Sequence, residues 1–114
     1  MLVAIGLQES RLMHRRQIGG SAKGFWQFER DGGVRGVLNH EITKDVIREV
    51  LASLSYPVLE WTPSACYAAI EHNDVLAAAF SRCLLWTLPD ALPEIGDTAN
   101  AYRQYDLAWR PGRK

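Results

Sequence analysis

The apolar residues of this chain recur at helical spacing in several separate stretches. In residues 2–14, LVAIGLQESRLMH, a wheel at about 100° per residue puts Leu2, Ile5, Leu12 and Met13 on one side and predicts a first helix. Glu9 falls in the middle of that side, whereas Gln8 and Arg11 point elsewhere. From Thr43 the period returns, with Thr43 as a candidate cap and Val46, Ile47, Val50, Leu51 and Leu54 as the stripe. Tyr56-Pro57 ends that helix, because the residue before a proline avoids the α region. Thr62-Pro63 supplies a cap followed by proline at the first helical position, and the helix it opens runs through Cys66, Ala69 and Ile70 to about His72. Asn73 caps the next segment, DVLAAAFSRCLLW, which is apolar nearly all round and so belongs at the centre of a core. LPDALPEIG is a proline-rich connection, after which Asp97 or Thr98 opens a last helix through Trp109, stopped by Pro111 and Gly112.

Between these helices the signals are turns. Gly19, Gly20 and Ser21 mark a loop, RDGGVRG reads as another, and VLNH as one helical turn. GFWQFE, short and aromatic, reads either as a short strand or as an extended buried turn. The pattern as a whole predicts a mainly α domain of four to five helices with one small extended or β patch around residues 24–29. At 114 residues a single domain covering the whole chain is expected.

Composition narrows the function classes. Thirteen basic residues balance thirteen acidic ones, which argues against a nucleic-acid partner. No apolar run approaches the ~18 residues a membrane helix needs, so no stable membrane insertion is expected. The start, MLVAIGL, lacks the basic region of a signal peptide, so synthesis and retention in the cytoplasm are expected. Cys66 and Cys83 lie in apolar, alanine-rich segments and read as two buried thiols, with a single disulfide as the alternative. His14, His40 and His72 lack metal-like spacing, and GGVRG lacks a phosphate-loop context, so neither metal nor cofactor is expected. Arg110, Arg113 and Lys114 form a basic tail that reads as solvated.

Glu9 carries the candidate chemistry. Desolvation disfavours the charged form of a carboxyl group, and an acid that keeps its proton can protonate a leaving oxygen. Breaking a glycosidic bond requires that step. The plainer reading is a glutamate at the stripe's edge, reaching water or pairing with Arg15, Arg16 or Arg35.

Spacing adds to this. Ser10 follows Glu9 at once; Ala22, Gly24 and Gln27 follow at +13, +15 and +18. Over residues 4–28 the chain resembles the soluble lytic transglycosylase family, whose motif reads E-S and then G-A-x-G-L-M-Q at the same distances. Here Ser21 stands in place of the family's glycine, and Phe25-Trp26 in place of Leu-Met.

The resemblance implies a lysozyme-like fold and cleavage of the β-1,4 bond between N-acetylmuramoyl and N-acetylglucosamine residues of peptidoglycan. It makes Glu9 the catalytic acid, later the base, and Ser10 its polar neighbour. Gln27 then lines the sugar groove, with Gly24 permitting close backbone approach. Trp26 and Phe28 read either as flat surface for a sugar ring or as core packing. The family's tyrosine near the catalytic glutamate corresponds best to Tyr102 in NAYRQY, with Tyr105 also open; Arg103 stands where the family has asparagine.

A transglycosylase works with one carboxylate, since the muramoyl C6 hydroxyl attacks within the substrate at an effective concentration of up to ~10⁵ M or more. A muramidase usually needs a second, for which Glu29 and Asp31 are candidates, unless they are solvated loop charges. A non-catalytic phage structural or sugar-binding module is the third reading. Only eight residues precede Glu9, fewer than in family members, which leaves open a truncated first helix. Size and lack of a signal peptide suggest a phage or prophage lysis protein that acts on the wall after release, with a holin-like partner.

Overall fold

The computed structural model of the chain describes residues 1–10, 12–13, 22–88 and 91–109. The expectations for Arg11, His14, Arg15, Arg16, Gly19, Gly20, Ser21, Arg110, Pro111, Gly112, Arg113 and Lys114 lie outside the described residues. Among those described, the fold is mainly helical. It comprises α1 (Leu2–Ser10), α2 (Arg35–Asn39), α3 (Lys44–Ser53), α4 (Pro63–His72), α5 (Asp74–Trp86) and α6 (Thr98–Trp109), with a π-type turn at Arg30–Val34 and a 3₁₀ turn at Val58–Glu60.

Helix starts follow the cap chemistry in the sequence, with one exception. The Thr62 hydroxyl accepts the Ala65 N–H at 3.2 Å, and Pro63 occupies the first helical position, where its missing N–H costs nothing. Asn73 Oδ1 accepts the Leu76 N–H at 3.1 Å, and Asp97 Oδ1 accepts that of Asn100 at 3.2 Å. Thr43 precedes α3 but does not cap it. Its hydroxyl is fully buried and donates instead to the Val37 carbonyl at 2.8 Å, tying α2 to the start of α3.

As its all-round apolar character predicts, α5 is the hub, in contact with each of the other five helices. Leu76, Ala77 and Phe80 are fully buried on it, against Ile47 and Leu51 of α3 and Ile70 of α4 in one core. Each of these leucine, isoleucine and phenylalanine side chains contributes roughly 1.5–3 kcal/mol by leaving water. Cys66 and Cys83 are both free and buried, the first of the two readings. Burial pushes the Cys66 thiol up to about 11, so it stays protonated and inert.

Two segments depart from expectation. The first helix ends at Ser10, short of the predicted His14, because the Ser10 hydroxyl competes for backbone groups. It lies 2.6 Å from the Phe25 carbonyl and 3.1 Å from that of Gly6, and it accepts the Leu12 N–H at 3.2 Å. Leu12 then turns left-handed (φ 52°), and Met13 is left exposed. The RDGG stretch forms a helical turn, closed by Val34 N–H to the Glu29 carbonyl at 3.1 Å. Its glycine content serves packing: a Cβ on Gly33 would sit 2.7 Å from the Phe28 ring.

The aromatic stretch is the buried turn, not a strand. Residues 24–27 reverse the chain, and Lys23 and Phe28 pair through one antiparallel bridge, N–H to carbonyl at 2.9 and 2.7 Å. Gly24 is left-handed (φ 78°) and pressed against α4, so that a Cβ there would lie 2.6 Å from Ile70 Cγ2. Gly24→Ala combines left-handed strain of about 1–2 kcal/mol with overpacking of about 1–3 kcal/mol. A loss of about 2–4 kcal/mol in urea unfolding is expected, whereas a loss below about 0.5 kcal/mol, the range of a bland surface substitution, would show that the turn yields freely.

Candidate functional site

The site begins with backbone carbonyls. A buried turn has no ladder to satisfy its peptide groups, and each unmet carbonyl is costly. Here Gly24 O accepts both the backbone N–H of Gln27 at 3.0 Å and its side-chain amide at 2.9 Å. Phe25 O accepts the Ser10 hydroxyl, Trp26 O accepts the Trp109 indole N–H at 2.7 Å, and Phe28 O is held by Lys23. Trp26 returns the favour to the first helix, its own indole N–H donating to Leu2 O at 2.6 Å. Ser10 is the last residue of α1 and Trp109 the last of α6, so the turn draws both helix ends to itself.

Those anchors place the residues beside them. Glu9, next to Ser10, is half-buried; Tyr105, one helical turn before Trp109, is buried. The Tyr105 hydroxyl donates to Glu9 Oε2 at 2.5 Å, the short end of the range for a hydroxyl bound to a carboxylate. Burial raises the Tyr105 phenol well above the usual tyrosine range, and the bond to Glu9 acts in the same direction. On its other side Tyr105 stacks on Trp109, with ring centroids 6.3 Å apart at 28°. Tyr102, the residue that the resemblance placed against the glutamate, is largely exposed, with its ring 6.0 Å from that of Tyr105. The contact to Glu9 is therefore made by the second of the two tyrosines.

The chain matches no protein-family model, no curated protein and no solved structure.

A cleft of about 540 Å³ opens beside this assembly, lined by Gln27, Glu29, Leu84, Leu88, Leu107 and Trp109 among others. Gln27 borders this cleft from a left-handed backbone (φ 54°), a conformation that strains a non-glycine residue by about 1–3 kcal/mol. Glu9 is not among the lining residues; the Tyr105–Trp109 stack connects it to the cleft wall. Trp26 and Phe28 are buried in the core, Phe28 also bordering the cleft, and Gly24 faces Ile70. Of the two further acids, Glu29 lines the cleft. Asp31 is exposed between Arg30 and Arg35, at 3.2 and 3.1 Å, and these guanidinium groups hold its carboxyl below the usual range. Trp109 was legible in the sequence only as a helix end; its spacing of four from Tyr105 was the available signal.

The pair is chemically specific: a carboxyl group, partly removed from water, with a phenol donating to it. Such a group can pass a proton and then be stabilised as the anion. Stability should carry the imprint of the tyrosine. In the unfolded chain it ionises near its ordinary value of about 10, and in the folded chain only at higher pH. Its contribution is therefore whole below about pH 10 and is lost as pH rises beyond that. Tyr105→Phe is expected to cost about 1.5–3 kcal/mol at neutral pH and to flatten the alkaline loss, in denaturant titrations run at stepped pH. An alkaline limb of unchanged slope in the variant would place the titration elsewhere.

Proposed function

We propose that this chain cleaves the glycan strands of peptidoglycan as a lytic transglycosylase. The observation that carries the reading is the Tyr105–Glu9 hydrogen bond, made between residues 96 positions apart, at the first residue of the E-S…A-x-G…Q pattern. A lysozyme-like domain is the fold this reading implies.

In this mechanism the Glu9 carboxyl proton moves to the β-1,4 glycosidic oxygen as the bond to the muramoyl C1 breaks. The N-acetylglucosamine-led fragment leaves as an alcohol. The Glu9 carboxylate, steadied by the Tyr105 hydroxyl, then takes the proton of the muramoyl C6 hydroxyl as that oxygen bonds to C1. The product is a 1,6-anhydro sugar, and no water is consumed. Holding the nucleophile within the substrate replaces a second catalytic carboxylate. Asp31, committed to two arginines on the surface, is a poor candidate for that second role.

Glu29 favours the muramidase as the runner-up, because it lines the cleft together with Gln27. In that reading water takes the place of the C6 hydroxyl. The biological setting that fits either is phage or prophage lysis. The chain would be made in the cytoplasm, and a holin-like protein would release it to the wall.

Mass spectrometry of digested peptidoglycan separates the readings. Anhydro-muropeptides are expected; reducing muropeptides would assign the muramidase, and an undigested wall would leave a sugar-binding or structural module. Glu9→Gln keeps the shape and removes the transferable proton, so turnover should fall by about 10²–10⁴-fold with an unchanged circular dichroism spectrum. Turnover at the parent rate would remove Glu9 from the mechanism.

A further inference from the structure

Trp109 is held on three sides. Its indole N–H donates to Trp26 O at 2.7 Å, which fixes the ring's plane and direction relative to the turn. Its edge contact with Phe28, centroids 6.2 Å apart at 78°, fixes the tilt. One of its faces carries Tyr105. A buried indole N–H needs an acceptor wherever it lies, but here the acceptor, the edge contact and the stack together fix the direction of the ring that Tyr105 rests on.

We infer that Trp109 is a positioning residue: its indole, locked to the Trp26 carbonyl, sets the ring of Tyr105 and so aims the phenol at Glu9. The consequence for turnover rests on the reading of Glu9 as the acid; the geometric claim stands apart from it. The phenol ring lies between two aromatic neighbours, Trp109 stacked and Tyr102 tilted by 60°. Only Trp109 is itself anchored to the turn that holds Ser10, the neighbour of Glu9. One chain of contacts therefore runs from the Phe25 and Trp26 carbonyls, out along both helix ends, and closes at the Tyr105–Glu9 bond. Because Trp109 also lines the cleft beside Gln27, anything bound there rests against the residue that sets the phenol.

The test uses the full chain and three variants. Trp109→Leu removes the ring, Trp109→Phe keeps a stacking face, and Leu107→Ala trims an exposed cleft residue as a control. The first readout is the ionisation of Tyr105, followed by NMR of ring-labelled tyrosine and assigned by its loss in Tyr105→Phe. The charged and titratable groups acting on this phenol are Glu9, Tyr102 and Asp106. None of these is altered by the variants. Trp109→Leu is expected to move the phenol titration back towards the ordinary tyrosine range, Trp109→Phe, which keeps a stacking face but lacks the N–H that meets Trp26 O, to restore only part of the shift, and Leu107→Ala to leave it in place.

The second readout is kinetic. Misplacing a catalytic group by about 1 Å costs about 10²-fold, so Trp109→Leu should lower kcat by about that factor, more than it raises KM, and Trp109→Phe should recover only part of it. A folded Trp109→Leu protein whose Tyr105 titrates as in the parent overturns the inference. So does a Trp109→Phe protein that fails to fold, which would make the indole a scaffold residue. If the parent protein shows no turnover, the transglycosylase reading fails while the tyrosine titration still decides the role of Trp109.

Discussion

The structure turns on the need to satisfy the carbonyls of one buried, irregular turn. Residues 24–27 lie against the core, outside any helix or strand ladder, so their peptide oxygens have no built-in partners. Leaving one unmet costs about 1–3 kcal/mol, a large share of a small domain's net stability. The chain meets the need with donors from three places: the turn itself, the last residue of α1 and the last residue of α6. The approach of those two helix ends, far apart in sequence, is thus a result of backbone chemistry. Glu9 and Tyr105 meet because each neighbours a residue that serves the turn.

The same constraint explains the residues around it. Gly24 gives the turn a left-handed step and lets it lie directly on Ile70 of α4. Gly33 lets the next turn lie on the Phe28 ring. Phe28 then packs edge-on against Phe80 of α5, centroids 6.0 Å apart at 75°, and against Trp109 of α6. Through these rings the turn is seated on the hub helix, and the stability of α5 is passed to the ends of α1 and α6. A core that is close-packed in this way resists small displacements, which is what a pair of side chains meeting at hydrogen-bond distance requires.

What could be read from the sequence was whatever depends on neighbours in the chain. The caps Thr62 and Asn73, the proline start of α4 and the all-round apolar α5 are local signals, and each forms as read. What escaped depends on distant partners. Thr43 looks like a cap until a carbonyl at Val37 claims its hydroxyl. Ser10 looks like a helix residue until Phe25 O draws its hydroxyl away, and with α1 ended, Leu12 and Met13 leave the face on which Glu9 seemed central. Tyr102 and Tyr105 are three apart and share a helical stripe, so periodicity cannot choose between them. The choice falls to Trp109, whose bond to Trp26 O fixes how α6 is rotated against α1. Glycines in RDGG suggest a loop by propensity, but close approach to Phe28 is the use of Gly33, and tertiary packing overrides the weak local preference.

The motif positions therefore divide by what they touch. Ser10, Gly24 and Gln27 are engaged with the backbone of the turn, so their spacing in the sequence is first of all a record of how that turn is built. Glu9 and Tyr105 are not needed for any carbonyl there; their bond joins side chain to side chain across two helices. Placing a carboxylate in partly dehydrated surroundings works against folding unless it is compensated. The phenol compensates it, yet an apolar pair at the same two positions would pack without that penalty. Stability alone gives a chain little reason to keep such a pair, whereas a proton donor acting on a glycosidic oxygen needs a carboxyl group held in place. On the proposed reading, the turn supplies the rigidity and the pair supplies the chemistry, and the two are joined through the single indole of Trp109.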